Sequence, residues 1–206
     1  MTKILGINAY HADASASLVI DGKVVVAIEE ERLCRIKHWA GFPKLAIKSC
    51  LESQNLKISD IDHIAINSSP KANLIKKYQY TILKRPDIKF ILEKLEKKLQ
   101  RMNIQEEIKR LFPKNSIKAE FHFINHHLAH LASAFYGSPF NSSTVVSVDG
   151  FGDFSSTAIG FGNSNKIRIK KQIFFPHSLG IFYTALTQYL GFPKYGDEYK
   201  VMGLAP

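Results

Sequence analysis

The sequence predicts a mixed α/β fold, a partly antiparallel sheet with helices on its faces. The first forty residues alternate in the two-residue step of strands. From residue 43 the chain switches between helical three- and four-residue spacing and short apolar runs, as mixed sheets with flanking helices do. From Thr144 the order strand, loop, strand, turn, strand, helix begins again, which suggests a second unit built like the first. The echo is one of pattern and not of residue identity.

Each element has its own signal. Lys3–Asn8, 14–20 and Lys23–Glu29 are apolar runs, and Asp21-Gly22 joins the last two as a tight hairpin turn. Pro43 opens a helix at the first-turn position that suits proline, and Leu45, Ile47 and Leu51 continue it. Residues 61–67 form a fourth strand, ended by Ser68-Ser69-Pro70. Residues 71–117 read as a basic helical insertion, with Ile91, Leu92, Leu95 and Leu99 at helical steps. A fifth strand over 120–125 leads into a helix over His126–Tyr136. In the second unit, strands over 144–148, 157–161 and 167–174 precede an amphipathic helix over 179–190. Asp149-Gly150-Phe151-Gly152-Asp153 reads as a tight loop between the first two of these strands, and Lys200–Pro206 as the start of a further loop. The predicted division is residues 1–140, carrying the insertion at about 71–117, and 141–206, an unfinished second unit.

Composition narrows the function classes. The 206 residues carry a net charge of +10, but 71–118 hold fourteen Lys/Arg against five Asp/Glu, so nearly all the excess sits on the insertion. That charge reads as the solvated face of amphipathic helices. Tyr78 and Phe90 are too scattered to stack on bases, so nucleic acid is not the expected partner. No apolar run approaches the ~20 residues a bilayer demands, and Met1–Gly6 turns polar too early for a signal peptide. Cys34 and Cys50 offer neither metal spacing nor a disulfide framework. The expected location is the cytoplasm, with no membrane partner.

His126-His127-Leu128-Ala129-His130 is the strongest chemical signal. On a helix His126 and His130 share one face, while His127 points about 100° away. Asp149 ends an apolar strand, where its carboxylate could complete a two-histidine, one-carboxylate set suited to Fe(II), Zn(II) or Mn(II). His122 reads as structural or exposed. Small residues in the segment from Asn8 to Ser15, and Gly150 and Gly152 in the second unit, would let backbone N–H groups approach a phosphate. Neither segment is a Walker A loop. Two such loops at matching points suit a nucleotide held between two units. Glu29-Glu30-Glu31-Arg32 reads either as a solvated strand end or, with Lys37-His38, as part of an anion site.

Together these motifs resemble a family. Gly6-Ile7-Asn8, His11, Asp13-Ala14-Ser15, the Glu29–Arg32 run and Lys37-His38 resemble the opening of the O-carbamoyltransferases that tailor nodulation factors and antibiotics. His126-His127-Leu128-Ala129-His130, Val148 to Asp153, and Gly196 to Pro206 continue the likeness in order, with the basic insertion unmatched. The resemblance implies a ribonuclease-H-like fold of the acetate kinase/Hsp70/actin type, related to the universal tRNA threonylcarbamoyladenosine synthesis protein. It implies carbamoyl phosphate as donor, ATP and a carbamoyl-adenylate intermediate, and a small hydroxyl acceptor. It also implies a divalent metal on His126, His130 and Asp149, His11 and Lys37 near the reactive group, and Lys200 and Gly203 at the edge of the nucleotide site. Such proteins run far beyond this chain. On that reading the chain is a fragment, a split-gene product or a degenerate copy, inactive without a C-terminal adenylate-forming half.

Two other readings stand beside it. A sugar-kinase-like or ATPase-like member of the fold would want an acidic Mg-binding residue on the first strand, where this chain has Asn8. A non-catalytic or RNA-associated metal- and nucleotide-binding module would use the basic insertion instead.

Overall fold

The computed structural model describes residues 1–86 and 103–204, which form two compact units: 1–70 with 84–124, and 71–83 with 125–206. The helical spacing expected at Ile91, Leu92, Leu95 and Leu99 lies outside the described residues.

The first unit is built on a five-stranded sheet. Strands β1 (Lys3–Asn8), β2 (Ser15–Ile20) and β3 (Lys23–Glu29) form an antiparallel meander. At the β2–β3 turn Asp21 and Gly22 both take positive φ, 48° and 80°, the backbone that a two-residue hairpin needs. Strands β4 (His63–Ile66) and β5 (Glu120–Phe123) add in parallel to β1, giving the order β3-β2-β1-β4-β5. That order, an antiparallel meander extended by parallel strands on the β1 side, is the ribonuclease-H-like sheet. Alternation turns Leu5, Ile7, Leu18, Ile64 and Ile66 into the core, and helix α2 (Lys44–Glu52) covers them with Ala46, Ile47, Cys50 and Leu51.

Helix α1 (Glu30–Cys34) follows β3 directly and corrects one reading of the acidic run. Glu30 is 3% exposed. Its carboxylate accepts from the backbone N–H of Leu45 at 3.1 Å and of Ala46 at 2.7 Å, supplying the α2 cap that Pro43 has no side-chain group to make.

The second unit holds a three-stranded antiparallel sheet, β6 (Ser142–Gly152), β7 (Ser155–Asn163) and β8 (Lys166–Phe174). Helix α3 (Leu74–Lys84) contributes most of its length here; Tyr80 meets the Phe154 and Phe175 rings edge-on, and Asn73 just before it donates to the Asp153 carbonyl. Helix α4 (Ile104–Leu111) belongs to the first unit, where Ile104 and Ile108 are fully buried in the core. Of the insertion's two described helices, α3 thus lies mostly in the second unit and α4 in the first. Helix α5 (His126–Tyr136) packs on β6, β7 and β8 through Leu131 and Phe135. The second compact unit thus takes in α5 and the residues from 125 onward together with 71–83. Helices α6 (Leu179–Tyr189) and α7 (Glu198–Met202) complete it, α6 against β6 and α7 against α6.

Two loop readings are corrected. Residues 149–152 are strand, interrupted by an irregularity between Val148 and Gly152, and the turn itself is Asp153-Phe154, both with positive φ. Glu198–Met202 is a short helix, so Lys200 lies on a helix and Gly203 at its C-cap.

Candidate metal centre

The site follows from two periodicities meeting. Along β6, Val145, Ser147 and Asp149 share one face because strand side chains alternate. Along α5, His127, Leu131 and Phe135 form the buried stripe, and His126 and His130 stand beside it, four residues apart. Packing α5 on β6 therefore sets Val145 in the apolar cluster with Leu131 and Phe135, Ser147 against His127, and Asp149 against His126 and His130.

His126 Nε2 lies 2.7 Å from Asp149 Oδ2 and 3.0 Å from His130 Nε2, and His130 Nε2 lies 3.6 Å from the same carboxylate oxygen. Three electron-pair donors thus converge on one point, at the mutual spacing that ligands about 2.0–2.2 Å from a common ion adopt. The donor set, two imidazoles and one carboxylate, suits a first-row divalent metal. The residues fit the group that the motif implies. The imidazoles, His126 first through its hydrogen bond, hold the Asp149 carboxyl well below the usual carboxylate range. Gly150 N–H donates to Asp149 Oδ1 at 2.6 Å, so one carboxylate oxygen is fixed and the other faces the histidines.

Supporting residues hold this arrangement, and most were silent in the sequence. Asn125 caps α5 by accepting from the Leu128 N–H, and Asp153 Oδ2 accepts from the His126 N–H at 2.9 Å. The Asp153 carboxylate at this helix start is also favourably placed for the helix dipole. Gly152 lies under the His126 ring: a Cβ there would sit 1.9 Å from Cδ2 of that ring. Gly180, at the start of α6, touches the Asp149 carbonyl so closely that a Cβ would stand 2.7 Å from it. The Ser178 hydroxyl donates to the carbonyls of Asp149 or Gly150, at 3.0 and 2.8 Å. Gly150, by contrast, would meet only ordinary van der Waals contact, with Ile181 at 3.7 Å. The glycines proposed for phosphate approach thus have different surroundings, and the fit under His126 is the reason for glycine at 152.

The remaining candidates belong to other elements. His11 is half-buried in the first unit, after β1, and Lys37 is exposed beyond α1. Neither lines the concavity of that unit bounded by Tyr10, Cys34, Trp39, Phe42 and Glu107. His38 pairs with Asp13, Nδ1 to Oδ1 at 2.9 Å, and Asn8 donates to the Asp13 carbonyl, so the Asn8–Ser15 segment is tied both to itself and to residues 38–41. Lys200 is clasped by Asp197 at 2.6 Å, which raises its pKa, and it stands over the Phe192 and Tyr199 rings. His122, on β5, faces His63.

A mixed α/β protein with a preassembled two-histidine, one-aspartate cluster is the class that this geometry defines. A family model described as carbamoyltransferase N-terminus matches residues 3–206, and the chain belongs to that family. It is 35% identical, over its whole length, to an uncharacterized protein of Synechocystis sp., of which it covers 35%. Over 97% of its length it is 36% identical to the nodulation protein NolNO of Sinorhizobium fredii, covering 28% of that protein. A shorter match, 35% over 80 residues, joins 33% of this chain to 25% of a tRNA N6-adenosine threonylcarbamoyltransferase of Mesoplasma florum. The chain therefore spans about a third of the length of the curated relatives that it matches along its full extent. Among the described residues no helix is long and apolar enough to cross a membrane.

Proposed function

We propose that this chain is the metal-binding front portion of an ATP-dependent O-carbamoyltransferase. The reaction would take a carbamoyl group from carbamoyl phosphate, through carbamoyl-adenylate, to a hydroxyl acceptor. The observation that carries the reading is the convergence of His126, His130 and Asp149 in a chain matched from residue 3 to 206 by the carbamoyltransferase family. Those three residues would hold a divalent Fe, Zn or Mn ion, which as a Lewis acid supplies polarisation of a carbonyl or phosphoryl oxygen.

The chain's own groups have separate tasks in this proposal. Asp153 and Asn125 hold the first turn of α5, so that His126 stays aimed at Asp149. His11 would take the proton of the acceptor hydroxyl as the carbamoyl carbon–oxygen bond forms and AMP leaves. Lys37 would supply positive charge to an anionic group, and Lys200 and Gly203 would border the nucleotide. Because the relatives are about three times longer, the adenylate-forming step is assigned to polypeptide outside these residues.

The test has two parts. Purified chain dialysed against Zn²⁺, Fe²⁺ or Mn²⁺ is assayed by elemental mass spectrometry. His126→Ala and His130→Ala should each lose about one equivalent, and His127→Gln should keep it. Equal loss in all three variants removes the triad assignment. AMP release dependent on carbamoyl phosphate is then followed for the chain alone and with the downstream polypeptide of a full-length relative added. No turnover is expected alone, and metal-dependent turnover is expected with the addition. Robust turnover by the 206 residues alone would overturn the division of labour.

A further inference from the structure

We infer that His63, Glu120 and His122 form a second transition-metal site, for a zinc-like divalent ion, on the half-exposed face of the first sheet. The site rests on strand register and not on a family motif. In the parallel β4–β5 pair His63 stands opposite Glu120, and Ala65 opposite His122. Alternation sends Ile64 and Ile66 of β4 into the core, so His63 points to the other face. Glu120 and His122, two residues apart on the neighbouring strand, point to that same face. The β5 edge thus gathers three ligand-type side chains where the core faces away.

The distances suit an ion. His63 Nδ1 lies 3.0 Å from His122 Nε2, and each lies 3.8 Å from Glu120 Oε2. Two ligand atoms bound at about 2.0–2.1 Å in tetrahedral geometry stand roughly 3.3 Å apart. The triangle therefore brackets that spacing, and the carboxylate, on a side chain 71% exposed, is the partner free to close in. Two imidazoles with one carboxylate favour zinc and its neighbours over Mg²⁺ or Ca²⁺, which demand mostly oxygen. With the histidine side chains 36% and 37% exposed, the face leaves room for water at the remaining positions. Such an ion would clip edge strand β5 to β4, and because it binds the folded chain alone it would stabilise the fold by mass action.

The experiment measures Zn²⁺ alone by equilibrium dialysis of the whole chain at pH 7.5. The His130→Ala background weakens the α5–β6 triad without touching β4 or β5. That chain should hold about one equivalent at micromolar free zinc. Adding His122→Gln or His63→Gln should weaken this binding at least tenfold, with unchanged circular dichroism. Adding Asp13→Asn should leave it intact, since Asp13, Glu31 and His38 form a separate cluster in the same unit. Replacing Zn²⁺ by Co²⁺ reads the same site by visible absorption, which the His122→Gln chain should lack. The inference fails if the His130→Ala chain holds no zinc at pH 7.5. It fails equally if His63→Gln and His122→Gln retain it, or if Asp13→Asn abolishes it.

Discussion

The two units solve the problem of an interior differently. The first buries a broad apolar cluster in which Leu5, Leu18, Ile47, Ile64 and Ile108 are all inaccessible. Among the described residues the second has a smaller cluster of Leu131, Phe135, Val145 and Ala158, and around it buries His126, His127, Ser147, Ser155, Ser156 and Thr157. Apolar contacts tolerate loss gradually, whereas buried polar groups must be paired or they cost free energy outright. In the second unit, then, the residues that shape the candidate metal site are also those that shape the interior. Damage to one is expected to register in the other, and in the first unit it is not.

Ile64→Ala should give the largest loss of stability, about 2–5 kcal/mol, because it empties a fully buried position between sheet and helix. Metal content at the α5–β6 triad should nonetheless stay unchanged after dialysis. Denaturant melts together with elemental analysis check both statements, and simultaneous metal loss would break the contrast between the units.

Gly152→Ala inverts the pattern. The added methyl meets the His126 ring at 1.9 Å, so ring or strand must move, at a cost of about 1–3 kcal/mol. Metal retention should fall with it. Gly150→Ala, whose methyl has only Ile181 at 3.7 Å, should change neither quantity. Equal behaviour of the two variants in thermal melts and metal analysis would show that the close fit under His126 is not what glycine at 152 provides.

Glu30→Ala sharpens the comparison from the other side, since it removes one polar device from the apolar unit. Two N–H groups at the start of α2 lose their acceptor, and the expected cost is about 1–3 kcal/mol with metal content intact. Glu29→Ala, on a side chain 44% exposed, should cost far less in the same denaturant melts.

How much of this was readable beforehand depended on the kind of signal. Strand alternation located Lys3–Asn8 and Lys23–Glu29 to the residue, and the helix expected at about 126–136 is His126–Tyr136, because burial of one face imposes such patterns. The His126/His130 spacing was legible for the same reason, and so was a carboxylate at Asp149, although β6 runs on past it to Gly152. The strand through Gly152 was not, because Asp-Gly-Phe-Gly-Asp has turn composition, while its glycine at 152 answers to a ring packed from another element. Nor could Glu30 be told from Glu29 or Glu31, since only the fold decides which carboxylate turns inward. The pairing of His63 with His122 rests on β4–β5 register across 59 positions, which no local pattern encodes.

The smallest expected effect concerns His127, the polar centre of the second interior. Its ring is fully buried, Nδ1 meets Ser147 Oγ at 2.8 Å, and Nε2 has no hydrogen-bond partner among the described residues. Protonation would bury a charge, so burial pulls the His127 pKa below its ordinary 6.5. The unfolded chain therefore binds a proton that the folded chain refuses, in the window between the lowered value and 6.5. The stabilisation is complete above pH 6.5 and is lost as pH falls through that window, by at most about 1.4 kcal/mol per pH unit for one proton. His127→Gln, which keeps a polar group facing Ser147 and cannot titrate, should flatten this part of the stability–pH curve. Urea melts of both chains from pH 7.5 to pH 5, with metal removed by chelation so that ligand release adds no slope of its own, measure the difference. Parallel curves would mean that the His127 ring is reached by solvent in the folded chain, and the contrast drawn between the two interiors would lose its sharpest instance.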